Sequence, residues 1–580
     1  MADKEAEAIP LKPQIGSCEN STSTTTTPRG KRNSNKKQTS EFRTKKHKGK
    51  KTESILDERR KEDVLQIEDQ LKAFDPMEPA VSEKLTRATN PYAYISPEPF
   101  ISILADHFDV NVSSEEFAAR LDGMDKLRSL KDEFVIPKKV DCARVDKENV
   151  GPDDPVVYLC SNLLGLKVKT VDNYMSELLR DWGNWGVWQN FEGRFAGMGI
   201  DQKPTRALMK LVGAREGEIT LMNGCTVNLH FLMIHFYQPR VGRYKIICEE
   251  NPFSSDLYCF KSQIRFHKLD PDKALIQVKP RQGERFLRNE DVIDAIEKHG
   301  KQTALVCFGG IQFFTGQRFD LEGVTKAAHA QGAVCGFDLA HMIGNCEMHL
   351  HRWNVDFAVW CSYKYLCGGQ GAIGGAFVHR NHWDRSAPRL EGWWGVKEEK
   401  RFFMNPELDA SLGANAFRIS MASVWNTVPL YAAMEVFDRT CMRAIERKRF
   451  WLNGYFDALV AKLNQDVMDT FGLRGDKEGI LTVPDPKVFK VLTPANPKER
   501  GNQITFIMRI PRADVIYTAL TKAGFVLDYK KPNILRISPH MLYNTFHDMF
   551  LLANFLRKEV FNHLGTMATA YRSSQKISTG

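Results

Sequence analysis

The sequence predicts an α/β protein whose largest domain is a mainly parallel sheet covered by helices. Five short apolar runs, rich in β-branched or aromatic residues and bounded by turn-forming residues, indicate strands: KIICEE, TALVCFGG, AVCGFD, DFAVWCS and GAIGGAFV. Two of the helical patterns between them, NEDVIDAIEKHG and LEGVTKAAHAQG, end in the glycine that helix C-termini favour. Strands that alternate with helices in this way are typical of a parallel sheet.

The chain of 580 residues is too long for one ordinary domain, and its patterns divide it into four regions. We expect a disordered basic tail over 1–51, a helical segment over 52–150, the large α/β domain over 151–425 and a smaller α+β domain over 426–580. The helical segment contains ESILDERRKEDVLQIEDQLKAF, SPEPFISILADHF and SSEEFAARLDGMDKLRSLKDEF, the last opened by a capping serine. The smaller domain contains one long helical pattern, YAAMEVFDRTCMRAIERKRFWLNGYFDALVAKL, and the strand-like runs QITFIMRI and ILRISP.

The positive charge is concentrated in the tail. Residues 1–51 hold 13 Lys and Arg against 5 Asp and Glu, which accounts for most of the formal net charge of +10. Because this segment has almost nothing apolar to bury, we expect it to be disordered. Its tract KKHKGKK is compatible with a nuclear-import or polyanion-binding signal as well as with a solvated extension. A nucleic-acid partner is not expected for the rest of the chain.

Composition also excludes several classes of protein. No apolar run approaches the roughly 20 residues of a membrane helix, and the first residues lack the apolar core of a signal peptide. The 12 cysteines are scattered without a CxxC pair, so neither a zinc site nor a disulfide framework is indicated. We therefore expect a cytoplasmic protein without a membrane partner or a bound metal.

Several chemically useful side chains follow predicted strands or begin a predicted helix. Asp338 ends AVCGFD and His341 comes three residues later, while Lys364 follows DFAVWCS. Thr226 lies at the start of the helical pattern in LMNGCTVNLHFLMIHF, and NPFSSD, with Phe253 and its acid, follows KIICEE. Because ligands of α/β sheets bind where the strands end, these groups are expected to share one crevice.

This set of groups is the one that pyridoxal phosphate requires. A lysine forms the imine, an acid keeps the pyridine nitrogen protonated, an aromatic ring stacks and a helix N-terminus holds the phosphate. Each residue alone has a plainer interpretation: Lys364 as an exposed lysine, Asp338 as a turn residue and Thr226 as a helix cap.

Longer segments are similar to the kynureninase family of pyridoxal-phosphate hydrolases: LMNGCTVNLHFLM, FTGQRFDLEGVTKA, GFDLAHMIGN, VDFAVWCSYKYL, GWWG and LYNTFHD. The resemblance runs roughly from Asp125 to His563. It implies the fold type I, aspartate-aminotransferase-like architecture and a homodimer with active sites at the interface. It also implies cleavage of kynurenine or 3-hydroxykynurenine into an anthranilate and alanine in tryptophan catabolism, on the route to NAD.

The resemblance assigns roles residue by residue. Lys364 would form the imine, Asp338 would face the pyridine nitrogen, and Tyr363 would be either an acid-base group or a phosphate anchor. Arg536 would bind the substrate carboxylate. The remaining cofactor contacts implied are Cys225, Thr226, Phe253, Ser254, Ser255, Asp256, Gly309, His341, Trp393 and Met421, of which Phe253 stacks on the ring and Trp393 reaches the phosphate across the dimer.

The chain departs from the family pattern at four positions, mostly on the substrate side. Leu163 replaces a serine, Met421 replaces an asparagine, and Asn190 lies near the position of a substrate-facing histidine. Gly309 replaces a serine that contacts the phosphate. Three interpretations stay open: a kynureninase with an altered pocket, a pyridoxal-phosphate enzyme for another amino acid, and a cofactor-binding protein without activity.

Overall fold

The computed structural model describes residues 97–148, 150–384, 386–471 and 487–578. The predicted basic tail and the helical pattern ESILDERRKEDVLQIEDQLKAF lie outside the described residues. The boundaries drawn between the four regions stay a prediction.

The strands form two main sheets and one short pair. Their bounds are β1 Val157–Tyr158, β2 Ile219–Leu221, β3 Lys245–Glu249, β4 Leu275–Val278, β5 Thr303–Gly309, β6 Val334–Asp338, β7 Phe357–Trp360, β8 Gly375–Val378, β9 Phe489–Val491, β10 Ile504–Met508, β11 Phe525–Val526, β12 Asp528–Lys530 and β13 Ile534–Ile537. A seven-stranded sheet has the order β2-β8-β7-β6-β5-β3-β4, and a four-stranded sheet has the order β12-β13-β10-β9. β1 pairs with β11.

The seven-stranded sheet confirms the predicted α/β class. β4, β3, β5, β6 and β7 pair with one another in parallel, and β8 is antiparallel to the strands on both of its sides, β7 and β2. β5 is buried along almost its whole length, as expected for a strand covered by helices on both faces. The run GAIGGAFV was predicted as one strand, but only its second half is β8, because the first half belongs to the connection through which the chain reverses after β7.

The helices cover this sheet and the smaller one. Their bounds are α1 Pro97–His107, α2 Glu115–Met124, α3 Thr170–Trp185, α4 Thr205–Val212, α5 Cys225–Phe236, α6 Ser254–Phe266, α7 Pro271–Ala274, α8 Asn289–His299, α9 Leu321–Ala330, α10 Val424–Phe437, α11 Met442–Phe471, α12 Ala513–Lys522 and α13 Phe546–Ser578. Among the described residues, no helix is long and apolar enough to cross a membrane. The cysteines described are all free.

Local sequence signals account for several helix ends. Ser114 caps α2 by accepting a hydrogen bond from the Phe117 amide at 3.2 Å, as the predicted serine cap requires. Asp320 caps α9 in the same way, and Gly332 follows that helix at φ +70°, a left-handed conformation that glycine adopts without strain. α5 packs on the central sheet, where Phe236 stacks on Phe357 with ring centroids 4.8 Å apart.

The prediction of one long helix in the C-terminal part was wrong. The chain leaves the helix after Phe437 through a turn and starts α11 at Met442. The reason lies in the partners of the two helices, because α10 packs on α3 whereas α11 packs on α1 and α13. One straight helix cannot reach both sets of partners. In the turn, Asp438 pairs with Lys210 at 2.6 Å.

Candidate active site

The carboxyl ends of the parallel strands bring the candidate residues together. Asp338 ends β6, Gly309 ends β5 opposite it, and Glu249 ends β3. Lys364 follows the end of β7, the other neighbour of β6. This is the edge at which α/β sheets bind ligands, so the prediction of a shared crevice is consistent with the strand order.

Lys364 is buried, with 8% of its surface exposed. Its Nζ atom lies 5.7 Å from the ring centroid of Phe253 and 5.8 Å from that of Tyr363. The turn that carries the lysine is packed against the segment before α3: the Gly165 amide donates to the Tyr363 carbonyl at 2.8 Å. A Cβ atom at Gly165 would lie 2.3 Å from the Lys364 carbonyl oxygen, so only glycine fits there.

Three carboxyl groups lie at this end of the sheet: those of Glu249 and Asp256 are buried, and that of Asp338 is half-buried. Asp338 accepts hydrogen bonds from the Ala340 amide at 2.7 Å and from the Cys225 thiol at 3.6 Å. Burial and then the neighbouring charge of Asp338 raise the pKa of Asp256 well above its usual value, although Lys364 opposes the shift. Burial also raises the pKa of Glu249 to about 7. This shift favours the protonated, neutral form of Asp256, which limits the negative charge beside Asp338.

Two helix N-termini meet beside these carboxyl groups. α5 begins at Cys225 without a side-chain cap, and α6 begins at Ser254, which is exposed. The hydroxyl groups of Thr226 and Ser255, in the first turns of the two helices, lie 2.6 Å apart. Free amide groups and the positive ends of helix dipoles suit a phosphate, and these two hydroxyl groups add donors to the same place.

His341 faces the cationic side of the site. Burial, then Lys364 and Arg536, lower the pKa of His341 well below its usual value, so the imidazole is neutral. Its Nδ1 atom is buried without a hydrogen-bond partner among the described residues. A neutral ring with one unused nitrogen is suited to hydrogen-bond a polar ligand.

Arg536 is held in place by two contacts. Its Nε atom donates to Asp528 Oδ2 at 2.5 Å, and its NH1 group donates to the Phe313 carbonyl at 2.6 Å. The Phe313 ring contacts the Phe253 ring edge-on with centroids 5.4 Å apart. The arginine and the lysine are therefore connected through two packed aromatic rings.

Four candidate residues are partly or largely exposed, in contrast to Lys364. Trp393 is 44% exposed and donates from its indole to the Arg401 carbonyl at 2.7 Å. Leu163 and Met421 are 46% and 38% exposed. A Cβ atom at residue 197 would lie 2.8 Å from both the Met421 methyl group and the Asn190 side-chain oxygen, which places these two side chains on either side of one glycine.

Sequence reasoning missed Glu249, Phe313 and Asp528. Glu249 ends a strand as Asp338 does, so the same rule would have found it; its Oε1 atom accepts from the Gly309 amide at 3.1 Å. No local signal marks Phe313 or Asp528. Their importance depends on which strands and loops fold over Arg536.

Comparison with known proteins identifies the family. Residues 479–556 match the model of the kynureninase C-terminal domain, and residues 204–400 match that of class-V aminotransferases. The kynureninase of Rattus norvegicus is 40% identical over 78% of this chain and 95% of its own length. The kynureninase of Nematostella vectensis is 39% identical with the same coverage, and that of Myxococcus xanthus is 40% identical over 75% of this chain and 95% of its own length.

This chain belongs to the kynureninase family. The family resemblance stated from the sequence is thus confirmed, and with it the expectation of a pyridoxal-phosphate-dependent enzyme. Solved structures support the fold alone: a cysteine desulfurase from Thermococcus onnurineus has a TM-score of 0.54 at 17% identity, covering 70% of this chain and 95% of its own. The cystine C-S lyase C-DES has a TM-score of 0.54 at 13% identity, covering 69% of this chain and 97% of its own.

The site of this kynureninase-family chain fits the cofactor in three respects. The two helix N-termini with Thr226 and Ser255 suit its phosphate, and Asp338 suits its pyridine nitrogen. Several buried polar atoms have no partner among the described residues, including the Ser362 hydroxyl, Glu249 Oε2 and His341 Nδ1. Buried polar groups are normally hydrogen-bonded, so these atoms indicate a polar ligand or water in the crevice.

Proposed function

We propose that the chain hydrolyses L-kynurenine or 3-hydroxy-L-kynurenine to anthranilate or 3-hydroxyanthranilate and L-alanine. The observation that carries the proposal is the series of contacts from buried Lys364 through the rings of Phe253 and Phe313 to Arg536. Identity of about 40% to relatives named kynureninase supports it.

The residues around Lys364 have distinct roles in this proposal. Pyridoxal phosphate, when bound, supplies an electron sink for the electron pair left at the substrate α-carbon. Lys364 Nζ removes the α-proton and then holds it inside the crevice. Asp338, oriented by the Ala340 amide, holds a proton on the pyridine nitrogen. Arg536 binds the α-carboxylate and thereby orients the bond that breaks.

Tyr363 acts as a neutral hydrogen-bond donor. Burial, followed by the neighbouring Cys361, raises the pKa of Tyr363, so its phenol stays protonated throughout the neutral range. The overall reaction adds one water across the bond between the β- and γ-carbons. The β-carbon, which becomes the methyl group of alanine, must gain a proton. A protonated phenol near Lys364 is suited to assist in that transfer.

With this activity we propose a cytoplasmic homodimer that works in tryptophan catabolism. Support for the dimer comes from exposed aromatic residues that contact one another: Trp182 with Trp425 at 5.8 Å between centroids, and Phe402 with both Phe191 at 6.2 Å and Trp393 at 5.7 Å. Contiguous exposed apolar surface of this kind marks protein interfaces. Trp393 would then reach the site of the partner subunit.

The test is turnover by purified holoenzyme with kynurenine, 3-hydroxykynurenine and a panel of other amino acids. We expect kynurenine to give anthranilate and alanine in equal amounts, or 3-hydroxykynurenine to give 3-hydroxyanthranilate and alanine, with turnover at least about 10³-fold lower in Lys364→Ala. Lys210→Ala is the control, because this exposed lysine pairs with Asp438 at the surface. Turnover of a different amino acid instead would favour a second candidate function, that of a pyridoxal-phosphate enzyme for another amino acid. Leu163 and Met421, which depart from the family pattern, favour this alternative.

A further inference from the structure

Arg536 and Asp528 face each other on neighbouring antiparallel strands. The register pairs them directly across β12 and β13, where side chains are about 4.5–5.5 Å apart at their Cβ atoms. Asp528 Oδ2 accepts a hydrogen bond from the Nε group of Arg536 and forms an ion pair with its NH2 group. The Phe313 carbonyl accepts from NH1 at 2.6 Å. The plane of the guanidinium group is therefore fixed from two directions.

These contacts leave the donors that a carboxylate ligand needs. A guanidinium group has five N–H donors: the hydrogen bonds to Asp528 and Phe313 use two of them, and the ion pair of NH2 with Asp528 occupies a third. Of the rest, one lies on each terminal nitrogen. Two N–H groups on the two terminal nitrogens are suited to bind one carboxylate in bidentate fashion.

Asp528 also compensates the buried positive charge of Arg536. The arginine side chain is only 3% exposed and that of Asp528 only 11%, so the two charges compensate each other away from solvent. An arginine without this partner would lie buried with uncompensated charge, and such a side chain moves to find water or another acceptor. The Asp528 carboxylate is in turn 3.9 Å from the exposed Lys530 ammonium group.

We propose that Asp528 is a positioning residue, which holds Arg536 in the orientation that selects ligands with an α-carboxylate. The inference rests on the proposed function, because that function assigns the α-carboxylate to Arg536. It adds a residue outside the reacting centre, on the strand next to the arginine, to the determinants of substrate choice. Loss of Asp528 should weaken the binding of amino acids without weakening the binding of the corresponding amines.

The experiment titrates holoenzyme with L-alanine and with ethylamine, which lacks the carboxylate, and follows the absorbance of the cofactor. We expect Asp528→Asn to raise the Kd of L-alanine about tenfold or more and to change that of ethylamine by less than about twofold. KM for the turned-over substrate should rise similarly while kcat stays within about threefold. Asp528→Glu keeps the charge and should recover part of the alanine affinity.

Two further variants make the result specific. Arg536→Ala should abolish the preference for alanine over ethylamine. Asp514→Asn removes a carboxylate from an exposed pair with Arg512, at 3.2 Å, and should leave the Kd of both L-alanine and ethylamine unchanged. Thermal unfolding of each variant checks that it is folded. If Asp528→Asn does not fold, Asp528→Glu decides the question, because the displaced charge should still impair alanine binding selectively.

The outcomes separate this inference from the proposed function. Unchanged alanine affinity in the Asp528 variants, with affinity lost in Arg536→Ala, overturns the inference alone. Equal loss of alanine and ethylamine binding also overturns it, because that is the result of general damage. Selective loss of alanine binding in an enzyme that does not cleave kynurenine supports the inference and overturns the substrate assignment instead.

Discussion

Tyr365 and Ser538 share a buried hydrogen bond, with their side-chain oxygens 2.6 Å apart. Tyr365 follows Lys364, and Ser538 lies two residues after Arg536, so the bond joins the lysine segment of the large sheet to the arginine strand of the small one. His540 reinforces this contact, since its Nε2 atom lies 2.8 Å from the Tyr365 carbonyl oxygen. The positions of lysine and arginine are thus coupled through the protein interior.

The first prediction concerns this hydrogen bond. Tyr365→Phe leaves the buried Ser538 hydroxyl without its partner, which should lower the free energy of unfolding by about 1–2 kcal/mol. It should also lower kcat/KM by about tenfold, because small displacements between Lys364 and Arg536 misalign the substrate. Urea unfolding and steady-state kinetics measure the two effects.

A matched variant distinguishes the kinetic effect from lost stability. Tyr237 is also fully buried and donates its hydroxyl to the carbonyl of Tyr244, just before the start of β3, at 2.7 Å. Tyr237→Phe should therefore cost similar stability and leave kcat/KM unchanged. Equal kinetic effects in the two variants would contradict the proposed coupling.

Much of the central sheet was predictable because its signals are local. The strands that end at Glu249, Gly309 and Asp338 are short apolar runs bounded by turns, and the helices between them have their own caps. The reversal of β8 and the break after Phe437 were not predictable, since they depend on which distant elements pack together. Local pattern decides an element's type, whereas tertiary contacts decide its direction and its length.

The candidate site divides in the same way. Strand ends pointed to Asp338, His341 and Lys364 without any structure. Arg536 lies inside a strand, so its pattern resembled that of an ordinary surface charge. Its pairing with Asp528 depends on the register of a hairpin that composition does not specify.

The second prediction concerns pH and a histidine pair at the opposite edge of the sheet. Asp356, just before β7, is 2.8 Å from His329 Nε2 and 2.6 Å from His382 Nε2. Burial would raise the pKa of Asp356, but the hydrogen bonds from these histidines bring it to about 2. The hydrogen bond to Asp356 raises the pKa of His329 above its usual 6.5.

The two shifts act on stability in different pH ranges. Because the folded pKa of Asp356 is depressed, its contribution is present above about pH 4 and is lost as pH falls through about 2. The contribution of His329 is fully present below pH 6.5 and is lost as pH rises through its raised folded pKa. Urea unfolding of wild type should therefore show a loss of about 2 kcal/mol between pH 4 and pH 2 from this carboxylate alone.

Asp356→Asn tests this assignment. The variant should lose less unfolding free energy between pH 4 and pH 2 than wild type does. Its unfolding free energy should also change less above pH 6.5, since His329 then lacks the Asp356 carboxylate. Asp153→Asn is a suitable control, because its carboxylate pairs with Lys138 in a fully exposed position. If wild type and Asp356→Asn lose the same unfolding free energy between pH 4 and pH 2, groups other than Asp356 cause that loss.

The last prediction concerns the substitutions that distinguish this chain from its family. Leu163 lies in the segment packed against Tyr363, and Met421 lies beside Asn190 across Gly197. Neither apolar side chain can pair with the amino, carbonyl or hydroxyl groups of a kynurenine ring. An unpaired buried polar group costs about 1–3 kcal/mol, or roughly 5- to 150-fold in rate. Two independent losses would lower kcat/KM on 3-hydroxykynurenine by about 10²- to 10⁴-fold.

The double variant Leu163→Ser with Met421→Asn should recover activity on 3-hydroxykynurenine, and on kynurenine to a smaller extent because kynurenine lacks the ring hydroxyl. Leu412→Ser is the control, since this leucine is 65% exposed and is not among the candidate site residues. Steady-state kinetics on both substrates give the ratio that decides the matter. A wild-type kcat/KM for 3-hydroxykynurenine of about 10⁴ M⁻¹s⁻¹ or more would be in the ordinary enzyme range. It would mean that Leu163 and Met421 do not limit the reaction and that the pocket pairs the ring hydroxyl by other groups.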